Sequence, residues 1–169
     1  MDEQSDVIFH EEQKFSKWIY WLICIMIVIS VVVIVVAVKE ESAKGNPPDT
    51  GEFVWLIIGM VIPIIIAALF AFLKLETQVR TDGLYVRFFP IHINFRKFEP
   101  EDLSEAYARQ YKPLWEYGGW GIRYSLRYGR AYNTSGNEGV QLVFNNGKKL
   151  LIGSQKPQEL EEAIQSIMR

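Results

Sequence analysis

Side chains that do covalent or metal chemistry are scarce in this sequence. It has two histidines, His10 and His92, and one cysteine, Cys24. The histidines stand far apart, and neither occurs in a ligand spacing such as HExxH, which sets two imidazoles on one helical face. His92 falls on the polar side of an alternating stretch and reads as an exposed surface histidine. Cys24 lies inside an apolar run, so a single chain has neither a disulfide framework nor a cysteine zinc site, and the redox compartment is not readable from it. No GxSxG turn and no cysteine outside that run supplies an activated nucleophile. The acids Glu99, Glu101, Asp102 and Glu105 lack the fixed spacing of a calcium loop and read as a solvated turn. The glycine-containing stretches "GNPPDTG" and "SGNEG" lack the lysine and hydroxyl of a phosphate loop. The expectation is a non-enzymatic protein with no cofactor and no metal.

Binding chemistry is more visible. The stretch "WEYGGWGIRYSLRYGRAYNTSGNEG" mixes Arg123, Arg127 and Arg130 with Trp115, Trp120, several tyrosines and many glycines. Between Ala106 and Gln158 the bases Arg109, Lys112, Arg123, Arg127, Arg130, Lys148, Lys149 and Lys156 face only Glu116 and Glu138, although the whole chain has a formal charge of −2. Arg123, Arg127, Arg130, Lys112, Trp115 and Trp120 are therefore the candidate binding residues. Arginine with aromatic rings can stack on single-stranded nucleic acid. Anionic lipid headgroups attract each nearby Lys or Arg by about 1 kcal/mol, and tryptophan rings suit headgroup depth. A purely structural explanation stands beside both. Gly118, Gly119 and Gly121 suit a strand corner or bulge, tyrosines pack across strands, and Arg123 and Arg127 pair with Glu138 or Glu116.

The elements that position these residues begin with two uncharged apolar runs, Trp18–Val38 and Phe53–Leu73. A helix rises about 1.5 Å per residue, so about 20 apolar residues cross a hydrocarbon core of about 30 Å. In lipid every backbone amide needs an internal partner, which makes both runs helices despite their β-branched residues. A cleavable signal peptide fits the first run poorly, because the segment before it is mostly acidic and no small-residue cleavage site follows. Trp18, Tyr20, Trp21 and Trp55 read as interfacial anchors. Pro63 removes one donor from the second helix. The segment 39–52 is short and polar and carries Pro47 and Pro48, so the helices form an antiparallel hairpin with both termini on one side. Lys14, Lys17, Lys74, Arg80 and Arg87 against Lys39 and Lys44 place that side in the cytoplasm of a multi-pass protein of the cell membrane. For the N-terminal segment, residues 1–17, two readings stand: a frayed polar lead, or an interfacial or strand-forming segment that docks Val7, Ile8, Phe9 and Phe15.

From residue 74 to 169 the pattern changes to short strands. "LETQVR" and "LYVRFF" flank "TDG", a hairpin with glycine at the positive-φ position. In "IHINFRKF" the residues Ile91, Ile93 and Phe95 alternate with polar ones, which predicts a half-buried strand. "LSEAYARQY" is ambiguous and is taken as a strand. "GVQLVFNNGKKLLIGS" predicts a second hairpin around Asn146-Gly147. Pro157 opens a closing helix with acids in its first turns, and Leu160, Ala163, Ile164 and Ile167 form its apolar stripe. The count is about seven strands and one terminal helix, a bent antiparallel sheet with a helical cap.

With that order, the hairpin, "DGLYVRFFP", "YGGWGIRY", "GVQLVFNNGKKLLIGSQKPQEL" and the closing helix, the chain resembles a family of small bacterial membrane proteins. These have two N-terminal spans and a pleckstrin-homology-like domain, mostly of unassigned function. The resemblance implies an α+β membrane protein with a PH-like β-domain and transfers no catalytic residue. Three functional expectations follow. The domain senses anionic lipid headgroups or a protein partner through Trp115–Arg130. Alternatively, the hairpin builds a membrane complex or self-associates through Gly59, Ala67, Ala68 and Ala71. The third expectation, single-stranded nucleic-acid binding, ranks below lipid because the bilayer is the nearer polyanion.

Overall fold

The computed structural model describes residues 6–43, 45 and 49–169, apart from the side chains of Lys17, Trp18 and Glu52. The Trp18 anchor, Lys44, and the Pro47-Pro48 part of the connection lie outside the described residues, as do residues 1–5. The chain forms two compact units, one from Ser16–Phe72 and one from the segment up to Phe15 together with Leu73–Arg169.

The first unit holds α1 (Lys17–Ala43) and α2 (Thr50–Phe72). At about 1.5 Å per residue both exceed a hydrocarbon core in length. Their candidate spans, Ile19–Ala43 and Phe53–Phe72, have mean hydropathies of 3.3 and 2.8, with 6% and 0% of the apolar windows buried. Such surface is not the hidden face of a soluble core. The two helices are long and apolar enough to cross a membrane, and α1 runs five residues past the predicted end at Val38. The Tyr20 hydroxyl donates to the Phe70 carbonyl at 3.3 Å, joining the start of α1 to the end of α2 in an antiparallel hairpin. Tyr20 is thus partly engaged within the hairpin, while Trp21 and Trp55 are exposed. Pro63 lies inside α2, which continues through it.

The second unit contains β1 (Val7–Lys14), β2 (Lys74–Arg80), β3 (Gly83–Phe89), β4 (Arg96–Phe98), β5 (Leu103–Gln110), α3 (Pro113–Tyr117), β6 (Gly121–Ser125), β7 (Gly129–Asn133), β8 (Glu138–Phe144), β9 (Lys149–Gly153) and α4 (Pro157–Ile167). They form two sheets, ordered β1-β2-β3-β4 and β5-β8-β9-β7-β6. Both predicted hairpins are present, as β2–β3 and β8–β9. The stretch at 103–110 is a strand, as expected. On α4, Leu160 and Ile164 are fully buried, and the helix packs on β1, β2, β5 and β8, so it bridges both sheets. Between them the core is filled by Leu75, Val79, Leu84, Val86, Phe88, Val140, Leu142, Leu151 and Ile152.

Of the two readings of the N-terminal segment the strand-forming one holds in part, and three other features differ from the sequence reading. The N-terminal segment is a full strand, β1, paired along β2 with Lys14 opposite Lys74. It docks Phe9 and Phe15 but leaves Val7 and Ile8 exposed. Its inward face also buries Glu11 and Gln13. Ser154 Oγ donates to Glu11 at 2.6 Å, the Gln155 amide donates to Glu11 at 2.8 Å, and Gln13 Nε2 donates to the Gly153 carbonyl at 2.7 Å. Burying a polar group is costly unless it is hydrogen-bonded, and these are. The β-unit therefore does not begin at residue 74.

Of the strand predicted over 91–98 only Arg96–Phe98 forms, as β4. The His92 amide donates back to the Phe88 carbonyl at 2.8 Å, and the chain turns before the three-residue β4. The two alternating isoleucines are exposed, and His92 is half-buried against the Tyr132 ring at 5.7 Å rather than exposed. Burial, and secondarily Arg96, push the His92 pKa below the ordinary histidine range. The second sheet is not wholly antiparallel: β7 runs parallel to β9. Finally, residues 113–117 form the short helix α3, closed by Gly118 at φ 72°.

Candidate functional site

A cleft of about 960 Å³ opens between β4, the β6–β7 turn and the β8–β9 turn. Its lining includes Arg96, Lys97, Arg127, Arg130, Lys148 and Lys149, against one acid, Asp102. Local chemistry explains the assembly. Gly147, at φ 77°, lets the β8–β9 turn close and carries the lysine pair at its end. The parallel pairing of β7 with β9 sets Arg130 opposite Leu150, next to that pair. Tyr124 and Arg130 face each other across β6 and β7.

Gly129 is the tightest point of this scaffold. Its φ is 80°, and a Cβ there would collide with the Lys149 carbonyl. A Gly129→Ala chain is therefore expected to lose about 1–3 kcal/mol of stability, read as a lower denaturation midpoint in detergent.

The cations divide into paired and available ones. Lys97 contacts Asp82 at 3.1 Å and Glu99 at 3.2 Å, which hold its pKa well above the ordinary lysine range. Arg96 donates to the Tyr132 hydroxyl at 3.0 Å, leaving the rest of its guanidinium open to the cleft. Arg127 stands over the Tyr128 ring at 5.4 Å. Among the described residues, no carboxylate lies within ion-pair distance of Arg127, Arg130, Lys148 or Lys149. Such a concentration of uncompensated positive charge in a concave, partly walled site focuses potential on an anion.

Two of the six predicted binding residues, Arg127 and Arg130, belong to this cleft. The other four do not line it. Lys112 precedes α3 and is exposed. Trp115, on α3, is 89% exposed. The Trp120 indole donates to the Gly136 carbonyl at 2.9 Å, and Arg123 donates to the Trp120 carbonyl at 2.8 Å. Arg96, Lys97, Lys148 and Lys149 were not among the predicted site residues. Their sequence separation hides them, although the "NNGKK" turn and the "RKF" strand each expose a basic pair.

The expected pairing of Arg123 and Arg127 with Glu116 and Glu138 does not form. Glu116 is taken by Arg109 at 2.9 Å, and Glu138 accepts from Gln110 at 3.0 Å. Arg109 also donates to the Tyr117 hydroxyl at 3.2 Å and to Gln141 at 3.1 Å, so it is a structural cation beneath α3. Burial pushes the Tyr111 hydroxyl nearby up to about 12, and Asn133 donates to it at 3.1 Å.

Two carboxylates give this unit an acid limit. Burial pushes the pKa of Glu116 up, but Arg109 and the Lys112 amide outweigh it and the net direction is down. Glu76 behaves alike: burial opposes, and Lys74 and Arg87 win. A folded-state pKa below the unfolded one means stability present above the unfolded value and lost as pH falls through the folded one. A Glu76→Gln/Glu116→Gln chain is thus expected to show a flatter loss of stability below pH about 4 than the parent, by denaturant titration at stepped pH.

A family model matches residues 2–169, nearly the whole sequence. The chain belongs to the family of unknown function DUF6141. No curated protein matches this DUF6141 chain significantly. The match takes in the β1 segment, both helices and the β-unit, so the family unit includes the strand that precedes the hairpin as well as the cleft.

Proposed function

We propose that this DUF6141 chain is an integral membrane protein of two spans that presents a cytoplasmic, pleckstrin-homology-like, non-enzymatic binding domain. The domain holds anionic lipid headgroups in the basic cleft. The observation that carries the reading is the cluster of Arg127, Arg130, Lys148 and Lys149, concave and without carboxylate partners among the described residues. Cations with no internal partner and a shaped site are suited to phosphate.

Several features support the membrane part. Apolar helices with unburied surface need a hydrocarbon solvent. The strands on either side of the hairpin pair with each other, Lys14 opposite Lys74, so both flanking segments lie on one side of whatever the helices cross. Lys14, Lys17 and Lys74 against Lys39 and Lys44 favour the cytoplasm for that side. Arg80 and Arg87 lie on that side too and add to the excess, since the bias counts Lys and Arg near the spans whatever their partners; within the first sheet they bond Gln78 and Glu76, as Lys74 bonds Glu12 and Glu76. Two sheets closed by a C-terminal helix support the PH-like resemblance.

The test is calorimetric titration of the full chain in detergent with short-chain phosphatidylglycerol and phosphatidylcholine. Saturable binding of the glycerol lipid that weakens with salt is expected. Equal heats for both lipids overturn the reading. Tighter, salt-dependent binding of a single-stranded oligonucleotide replaces it with the nucleic-acid alternative.

A further inference from the structure

We infer that the loop between β3 and β4, residues 90–95, is a third point of contact with the bilayer, dipping Ile91 and Ile93 into the leaflet from which the hairpin emerges. The inference rests on the membrane reading above, but not on the cleft.

Its basis is the strand register. Lys14 pairs with Lys74, and Lys74 with Phe89, so these three residues form one row across the first sheet. The chain enters α1 at Lys17, just beyond Lys14, and leaves α2 at Phe72, just before Lys74. That row is the end of the sheet from which both helices depart. The 90–95 loop follows Phe89 directly and sits at the same end. There Ile91 is 58% and Ile93 73% exposed, while Leu75, Phe88 and Val86 behind them are fully buried.

The loop is also held. His92 donates its amide to Phe88, and its ring lies edge-on to Tyr132. Arg87 donates to the Ile93 carbonyl at 3.3 Å and covers the Phe95 ring at 4.4 Å. Two outward isoleucines on a fixed backbone enter an apolar phase without much further loss of freedom. The opposite end of the sheet is the Thr81–Asp82 turn, polar and about 20 Å away along the strands.

Charge does not drive this contact. Lys74 is held by Glu12 at 2.8 Å and by Glu76, which also holds Arg87, so these two cations are already compensated. Insertion of the loop is therefore indifferent to headgroup charge, whereas occupation of the cleft depends on it.

The test uses the full chain with Cys24→Ser, reconstituted in vesicles of phosphatidylcholine with and without phosphatidylglycerol. Nitroxide labels are placed by Ile93→Cys, Thr81→Cys or Ile29→Cys, the last within α1. Collisions with oxygen are expected to exceed those with a water-soluble nickel chelate at positions 93 and 29 in both lipids, with the reverse at 81. Nickel-dominated collisions at 93 with oxygen dominance at 29 overturn the loop contact alone. Nickel dominance at 29 as well overturns the membrane reading and the loop with it. Dipolar broadening at 93 that disappears on dilution with unlabelled chain assigns the isoleucines to a second copy and overturns the bilayer contact. Oxygen dominance at 93 in a chain whose cleft shows no lipid preference supports the loop while removing the headgroup reading.

Discussion

A chain reduced to Lys74–Arg169 is expected to lose cooperative folding, whereas residues 6–15 joined to Leu73–Arg169 by a short turn are expected to fold and to stay dissolved without detergent. The contrast isolates β1. Removing it strips Phe9 and Phe15 from the core, and losing a buried phenylalanine costs about 3–5 kcal/mol. It also takes the side-chain partners Gln13 and Glu11 from the Gly153 carbonyl and the Gln155 amide, and leaves Ser154 Oγ with only the Lys156 amide. Each unsatisfied buried group adds about 1–3 kcal/mol. A domain of ordinary size has only about 5–15 kcal/mol in total. In addition, β2 becomes an unpaired edge strand, a template for aggregation. The short-turn chain keeps every one of these contacts, because Lys14 and Lys74 are already register partners that a tight connection can close. Near-ultraviolet circular dichroism and thermal melts decide it. A Lys74–Arg169 chain that melts at the temperature of the short-turn chain contradicts the assigned role of β1.

Replacing Arg127, Arg130, Lys148 and Lys149 together by serine is expected to weaken phosphatidylglycerol binding by roughly a thousandfold. Each headgroup cation is worth about 1 kcal/mol, and about 1.4 kcal/mol is a factor of ten. All but a small part of the salt dependence should go with them. The fold should persist, since Arg127, Arg130, Lys148 and Lys149 are exposed and hold no carboxylate among the described residues. The matched control is Arg109→Ser. It breaks the pair with Glu116 and the bonds to Tyr117 and Gln141, so stability falls while lipid affinity in the folded fraction stays. Unchanged affinity in the fourfold variant would remove the cleft as the binding site.

What could be read from the sequence was whatever is encoded locally. The two long apolar helices announce themselves by length and lack of charge. "TDG" and "NNG" specify their hairpins within a few residues, and the α4 stripe is a short-range period. The features left open or missed are non-local. The inward face of β1 reads Phe9, Glu11, Gln13, Phe15, and the two polar members look solvent-facing until partners more than 100 residues away satisfy them. The pattern of Ile91, Ile93 and Phe95 imitates a half-buried strand, yet alternation reports sidedness and does not say whether a sheet lies beneath. Of the six candidate binding residues only Arg127 and Arg130 line the basic cleft. Arg127 and Arg130 reach the cleft, and their neighbours there come from β4 and the β8–β9 turn, which the parallel pairing of β7 with β9 brings alongside. Parallel neighbours are never adjacent in sequence, so no local signal marks them.

The central claim is that one folded β-unit, closed by strands from both ends of the hairpin, sits wholly on one side of a membrane crossed by α1 and α2. Single cysteines in a Cys24→Ser background, at Asp6, Ser42 and Asn137, test it by labelling with a membrane-impermeant maleimide in sealed vesicles of known orientation. Positions 6 and 137 should label from the same face and position 42 only from the other. Labelling of 6 and 137 from opposite faces, or of all three from one, would contradict the account.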